Sequence, residues 1–318
     1  MNPQRGVHVG TAKGSASSIT ASGALRDQGG VRMAFEYIQV AETNGVLVIT
    51  MDDPTTRNAI GAEMAAEITG ALDRLESEPG LRAMVITGRD PSFCSGANVK
   101  RMDQANVERV EEPGIPEDES PFEYLDHRWA ESAEADGGEE IDAVRFVALK
   151  IHKLQKPSIA AVNGFALGLG MGIALSCDIR IASEEAQFSE TFIKRGLIPA
   201  DGSCWQLPRM IGLGNTLLLQ YTGDFVDAQE ALRLGLVSKV TPHQDLMETT
   251  MDLAQRIAQG PTYSMALIKR LVQKSLHTDL EESMRLAGPA QGIARQTEDH
   301  REGVRAFIEK RKPVFRGR

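Results

Sequence analysis

From Pro157 to Trp205 the chain reads PSIAAVNGFALGLGMGIALSCDIRIASEEAQFSETFIKRGLIPADGSCW, and this stretch limits what the rest can fold into. Ser158 to Val162 is a short apolar run bounded by a turn signal, the pattern of a buried strand. Asn163-Gly164 breaks the run. Gly168 and Gly170 follow, and Met171 to Cys177 predicts the start of a buried helix. A strand, a glycine turn and a helix in this order expose backbone N–H groups at the helix N-terminus, which favour negative charge. That charge is either a phosphate or the oxyanion of a reacting carbonyl.

The rest of the chain frames that stretch as an α/β protein. Phe35 to Val40 and Val46 to Met51 flank Thr43-Asn44-Gly45, a hairpin signal. Ala62 to Leu75 has helical apolar spacing, Leu81 to Thr87 reads as a buried strand, and Phe93 to Asn98 as a tight turn. Residues 103–140 are acidic and interrupted by Pro113, Pro116 and Pro121. They read as a mobile, solvated surface insertion or lid. Val144 to Leu154 is helical. After Trp205, helices are expected over Leu207 to Leu219, Asp227 to Leu234, Asp245 to Ala258, Tyr263 to Ser275, Leu280 to Ile293 and Asp299 to Lys310, with one strand over Leu236 to Val240. Strand–helix alternation followed by a helical block predicts an α/β core, residues 34–225, and a helical C-terminal region, residues 226–318. Residues 1–33 are basic, rich in Gly, Ser and Ala and without apolar periodicity, and are expected to be a disordered extension.

Composition excludes several classes of function. A net charge of −9 argues against nucleic acid as a main partner. No apolar run approaches the roughly 20 residues of a membrane span. The three cysteines, Cys94, Cys177 and Cys204, have no metal or redox spacing and read as buried, reduced thiols, which suits the cytoplasm.

The glycine turn is not a dinucleotide site, because the third glycine of G-x-G-x-x-G is replaced by Ile173. No Gly-Lys-Ser/Thr follows to make a P-loop, and no G-x-S-x-G nucleophile elbow is present. An oxyanion hole remains. It needs two converging donors, and a second turn after a strand, Ser95-Gly96-Ala97, offers the other one.

Arg57-Asn58-Ala59, the run Ser92 to Lys100, the Pro157 to Trp205 stretch, Leu207-Pro208-Arg209, Gly235-Leu236-Val237 and Ala306 to Arg311 together closely resemble the crotonase superfamily, the enoyl-CoA hydratase/isomerase family. The likeness covers roughly residues 34–318. It implies a crotonase-like (ClpP/crotonase) α/β spiral of ββα units, with a helical C-terminal region that assembles trimers or dimers of trimers. It further implies an acyl-CoA thioester as substrate, in fatty acid metabolism, with coenzyme A as part of that substrate and with no separate cofactor or metal. By motif position the hole's two N–H groups belong to Ala97 and Leu169. Arg57, Ala59, Asn98 and Val99 match CoA-contacting loops, and Phe307 and Lys310 match a C-terminal helix that reaches the CoA. The basic run Lys310-Arg311-Lys312 serves either that ligand or the helix C-terminus.

The chain departs from the family pattern where hydratases carry two glutamates, because those positions are Gly172 and Phe192. Asp201 is the nearest replacement acid, with Phe192, Ile198 and Trp205 expected to raise its pKa. Otherwise Asp201 caps the helix that begins near Gly202. Glu190 is the second candidate acid, or else a structural carboxylate. His127 reads as a surface histidine and Asp178 as structural. One carboxylate suffices for enoyl-CoA double-bond isomerisation, which is the expected reaction. Hydration of a 2-enoyl-CoA and catalytically silent acyl-CoA binding are the alternatives.

Overall fold

Asn44 (φ 52°) and Gly45 (φ 80°) both take the left-handed conformation. A two-residue hairpin turn requires this. They join β1 (Ile38–Thr43) to β2 (Val46–Met51) with Thr43 opposite Val46. The computed structural model describes residues 24–25, 33–98, 114–116, 118–134 and 142–318. Phe35–Arg318 is one compact unit, and Met1–Ala34 is another. In the latter, Ala24–Leu25 pairs antiparallel with Met33–Ala34. The remainder of the expectation for residues 1–33 lies outside the described residues.

After β2, helix α1 (Ala62–Ser77) buries Met64, Ile68, Leu72 and Leu75 on one face. Three times the chain then completes a strand of one sheet, turns a short corner and lays a shorter strand in a second sheet. These pairs are β3 (Ala83–Gly88) with β4 (Ser92–Cys94), β5 (Ser158–Val162) with β6 (Phe165–Leu167), and β7 (Ile179–Ser183) with β8 (Gln187–Ser189). Helices α2 (Pro121–Glu134) and α3 (Ala143–Lys153) lie between β4 and β5, and α4 (Leu169–Ser176) follows β6. This repeated strand, strand and helix progression is the expected crotonase-like spiral.

Helices α5 (Ser203–Ile211) and α6 (Leu213–Thr222) lead to β9 (Val226–Asp227), α7 (Ala228–Leu234) and β10 (Lys239–Thr241). The large sheet has the order β10-β7-β5-β3-β2-β1, parallel except for the hairpin, and the small one β9-β8-β6-β4. Alternate residues of β3 enter two cores. Met84 and Ile86 pack with α1, α3 and α4, while Ala83 and Val85 pack with α8 (Leu246–Ala258). A parallel strand covered on both faces is apolar throughout, so it shows no alternation. Helices α9 (Thr262–Ser275), α10 (Leu280–Gln296) and α11 (Glu298–Ile308) complete the chain.

Four expectations are corrected. The acidic insertion carries a regular helix, α2. It begins with a reciprocal capping box in which Glu123 N–H donates to Ser120 Oγ and Ser120 N–H donates to the Glu123 carboxylate. The single helix expected over 207–219 is two helices, broken at Gly212 (φ 79°). The strand expected over 236–240 begins only at Lys239, because Leu236 and Val237 are core residues of the turn after α7. Cys204 is exposed, whereas Cys94 and Cys177 are buried as expected.

Asn58 ties the loop of Arg57 to this frame. It is fully buried in a left-handed conformation (φ 59°), and its Nδ2 donates to Arg89 O (2.8 Å) and Ser92 O (2.7 Å). Its Oδ1 accepts from Asp53 N–H at 3.0 Å. Replacing it with Ala removes these bonds and leaves a strained backbone, so Asn58→Ala is expected to cost about 2–4 kcal/mol in a denaturant titration.

Candidate active site

Two backbone turns interlock at the junction of the sheets. Gly96 (φ 92°) lies so close to β6 that an added Cβ would stand 2.7 Å from Leu167 O. Gly170, in the first turn of α4, lies against β4, where a Cβ would stand 2.7 Å from Cys94 Cβ and overlap the Cys94 carbonyl. Only glycine permits either approach. Together they bring Ala97 and Leu169 to the wall of one cavity of about 30 Å³, shared with Phe192 and Arg195.

Neighbouring N–H groups are engaged elsewhere: Ser95 N–H donates to Arg57 O, Gly168 N–H to Ser189 O and Gly172 N–H to Gly168 O. Leu169 is the first residue of α4, so its N–H has no partner within the helix and carries the positive end of the helix dipole. Ala97 pairs with Ile60 in an isolated parallel bridge, with Ile60 N–H donating to Gly96 O at 2.9 Å. That bridge, and the bond from Ser95 Oγ to Thr56 O (2.8 Å), set Arg57 and Ala59 beside Ala97 and Asn98.

Below the hole, α4 presents Gly172. The space that a side chain would fill there is occupied by Asp201, whose Cγ and Cβ lie 2.7 and 2.9 Å from the ideal Cβ position. The Asp201 carboxylate therefore stands on α4 where the resemblance places a glutamate. Ser203 N–H donates to Asp201 Oδ1 (3.1 Å), and Ser203 Oγ lies 2.7 Å from Asp201 Oδ1 and 3.1 Å from Glu190 Oε2. Asp201 Oδ2 and Glu190 Oε1 are buried with no hydrogen-bond partner among the described residues. Burial, and then the Asp201 charge, push Glu190 up to about 8. Burial likewise raises Asp201 above the ordinary aspartate value. Ile198 has no part in this, being 77 % exposed, which corrects the expectation. Phe192 packs on the hole instead, with Cζ 3.4 Å from the Cβ position of Gly168.

Asp201 also lines a second cavity of about 490 Å³, with Ala148, Leu149, Ser176, Trp205 and Gln206 among its walls. At 1.5 Å rise per residue, Gly172 is ~4.5 Å and Ser176 ~10 Å along α4 from Leu169. The hole, the carboxylate and this cavity thus follow one another along a single helix.

The chain thus brings Arg57, Ala59, Ala97, Asn98 and Leu169 together, and separately joins Glu190 to Asp201. Phe307 and Lys310 do not reach the hole within one chain. Phe307 is 85 % exposed and lines a groove of about 840 Å³ between α9, α10 and α11. Val99 lies outside the described residues. His127 is exposed and paired with Glu119, and Asp178 is structural, accepting from Ser158 N–H and pairing with Lys269. Arg311, from the basic run, pairs with Glu302 and Glu309. Sequence reasoning missed Ser203, which carries no motif signal. Among the described residues no cluster of side chains has metal-holding geometry, and no helix is long and apolar enough to cross a membrane.

A family model described as enoyl-CoA hydratase/isomerase matches residues 41–119 and 131–318. The chain belongs to that family. It is similar to the crotonyl-CoA hydratase of Syntrophomonas wolfei, at 31% identity over 89% of this chain and 99% of that protein. It is also similar to the 1,2-epoxyphenylacetyl-CoA isomerase of Escherichia coli, at 32% identity over 89% and 99%. Among solved structures, an enoyl-CoA hydratase from Bacillus anthracis superposes with a TM-score of 0.75 at 30% identity, covering 89% of this chain and 100% of that one. The chain is accordingly an enzyme of hydratase/isomerase type, and the relatives carry both kinds of name.

The exclusion between residue 172 and Asp201 is testable. Gly172→Glu is expected to lose about 1–3 kcal/mol through overpacking. Combining it with Asp201→Ala is expected to recover most of that loss. Thermal melts of the single and double variants check this.

Proposed function

We propose that this protein isomerises the double bond of an enoyl-CoA, using Asp201 as the single reacting acid. The supporting observation is a pair of replacements: Asp201 fills the space above Gly172, while Phe192 packs on the hole at the position of the family's second acid. The thioester oxygen of a 3-enoyl-CoA enters between the Ala97 and Leu169 N–H groups. Asp201 Oδ2, which has no hydrogen-bond partner among the described residues, takes the α-proton. The electron pair moves into a dienolate whose negative oxygen is held by both donors, and such donors contribute several kcal/mol in a dry site. The same carboxyl then returns the proton to the γ-carbon, giving the 2-enoyl isomer with nothing gained or lost. Burial suits Asp201 to this work, since a raised pKa makes it a stronger base than a solvated aspartate.

The acyl chain runs along α4 into the cavity beside Trp205, and coenzyme A lies toward Arg57, Ala59 and Asn98. Coenzyme A enters only as part of the substrate. Exposed Phe307 and Ile308 at the groove of α9, α10 and α11 support association of copies of this chain into trimers.

Hydration of a 2-enoyl-CoA is the second reading. The observation favouring it is the link of Glu190 to Asp201 through Ser203, which provides a second acid, and relatives named hydratases agree.

Asp201→Asn is expected to lower turnover ~10³-fold while leaving the affinity for a saturated acyl-CoA unchanged. Assays of 3-enoyl- and 2-enoyl-CoA esters check this. Water addition to crotonyl-CoA at a rate matching isomerisation would favour hydration, and undiminished turnover in Asp201→Asn would remove Asp201 from the mechanism.

A further inference from the structure

We propose that Ser203 makes Glu190 and Asp201 one unit that holds a single proton on Glu190, keeping Asp201 ionised although it is buried. The inference deepens the reading above and rests on it only for the consequence to catalysis.

The Ser203 hydroxyl has one hydrogen, yet its oxygen is within bonding distance of two carboxylate oxygens, Asp201 Oδ1 at 2.7 Å and Glu190 Oε2 at 3.1 Å. If both acids were ionised, one of these contacts would have no hydrogen, and two negative charges would share a buried site. One added proton resolves both problems. Glu190 Oε2–H then donates to Ser203 Oγ, and Ser203 Oγ–H donates to Asp201 Oδ1. The reverse placement, with the proton on Asp201, wastes the Ser203 N–H, which already donates to Asp201 Oδ1 and favours its ionised form.

Among the described residues no Lys, Arg or His side chain bonds either carboxylate. Of the nearby cations, Lys194 sits over the Phe225 ring and Arg195 donates to Thr191 O. Partial burial, and then the two acids, raise the otherwise exposed Cys204 thiol beside Ser203 on α5, so it stays neutral. On α4, Gly172 and Ser176 carry no charge. Arg145, His152 and His277 face Asp201 across the larger cavity, with Arg145 paired to Asp142 and burial keeping His152 neutral. Ser203 is thus a positioning residue: it directs a shared proton away from the base.

Infrared difference spectra and melting curves of the full chain test this without substrate. Near neutral pH the wild type is expected to show the C=O stretch of a buried carboxylic acid, and Glu190→Gln to lack it. Glu190 titrates at about 8 when folded against an ordinary value of 4.5, so the folded chain holds a proton that the unfolded one releases between those values. Its contribution to stability is full below 4.5 and is lost as pH rises toward 8. Glu190→Gln should remove that decline, and its melting temperature should fall ~6 °C less than that of wild type across this window. A wild type with no acid band, or a band that survives in Glu190→Gln and vanishes in Asp201→Asn, overturns the assignment. In turnover, Ser203→Ala is expected to move the acidic limb of kcat to higher pH, because Asp201 loses an O–H that favours its ionised form. An unmoved limb would overturn the role of Ser203. If no enoyl-CoA is turned over at all, the functional reading fails while the infrared and melting results still decide the proton.

Discussion

Two backbone contacts between loops far apart in sequence carry this structure. Gly96 against Leu167 and Gly170 against Cys94 let two strand-to-turn units meet with no side chain between them. The parallel pairing of β4 with β6 aligns the two turns, and the Ile60–Ala97 bridge holds the outer one. Any Cβ at Gly96 or Gly170 would push the turns apart by more than a hydrogen bond tolerates. The ββα spiral is the scaffold that allows this approach, because each corner returns the chain to the same junction.

The acids follow from the same economy of space. A helix that presents Gly172 leaves room for a carboxylate from outside, and the loop between β8 and α5 supplies Asp201. A carboxylate beside the helix thus stands where the family pattern places one on it, and it comes with Glu190 and Ser203. Burial then sets the electrostatics. Two carboxyl groups shielded from water cannot both be charged at low cost, so their protonation becomes a property of the pair.

Much of this was legible in the sequence, and the failures have physical causes. The hairpin, α1, β5 and the first turn of α4 followed from turn chemistry and apolar period. The short strands β6 and β8 did not, since three residues are too few to establish a period. The break at Gly212 was visible as a glycine and was overridden by apolar spacing on both sides. Asp201 and Glu190 were each legible as acids, but their meeting through Ser203 was not, because it depends on how a loop folds back on a helix. Ile198 failed because the loop before Asp201 leaves its apolar side chains in solvent, as it does for Leu197. The capping box at Ser120 and Glu123 could have revealed α2 within a segment whose prolines suggested a loop.

The proposed mechanism has the Ala97 and Leu169 N–H groups hold the thioester oxygen of the same acyl group whose α-proton Asp201 removes. Exchange of the α-proton of a 3-enoyl-CoA in deuterated water, followed by proton NMR, tests it most directly. Wild type is expected to show exchange or transfer, with part of the original proton recovered at the γ-carbon, and Asp201→Asn to show neither. Exchange at the wild-type rate in Asp201→Asn would contradict it.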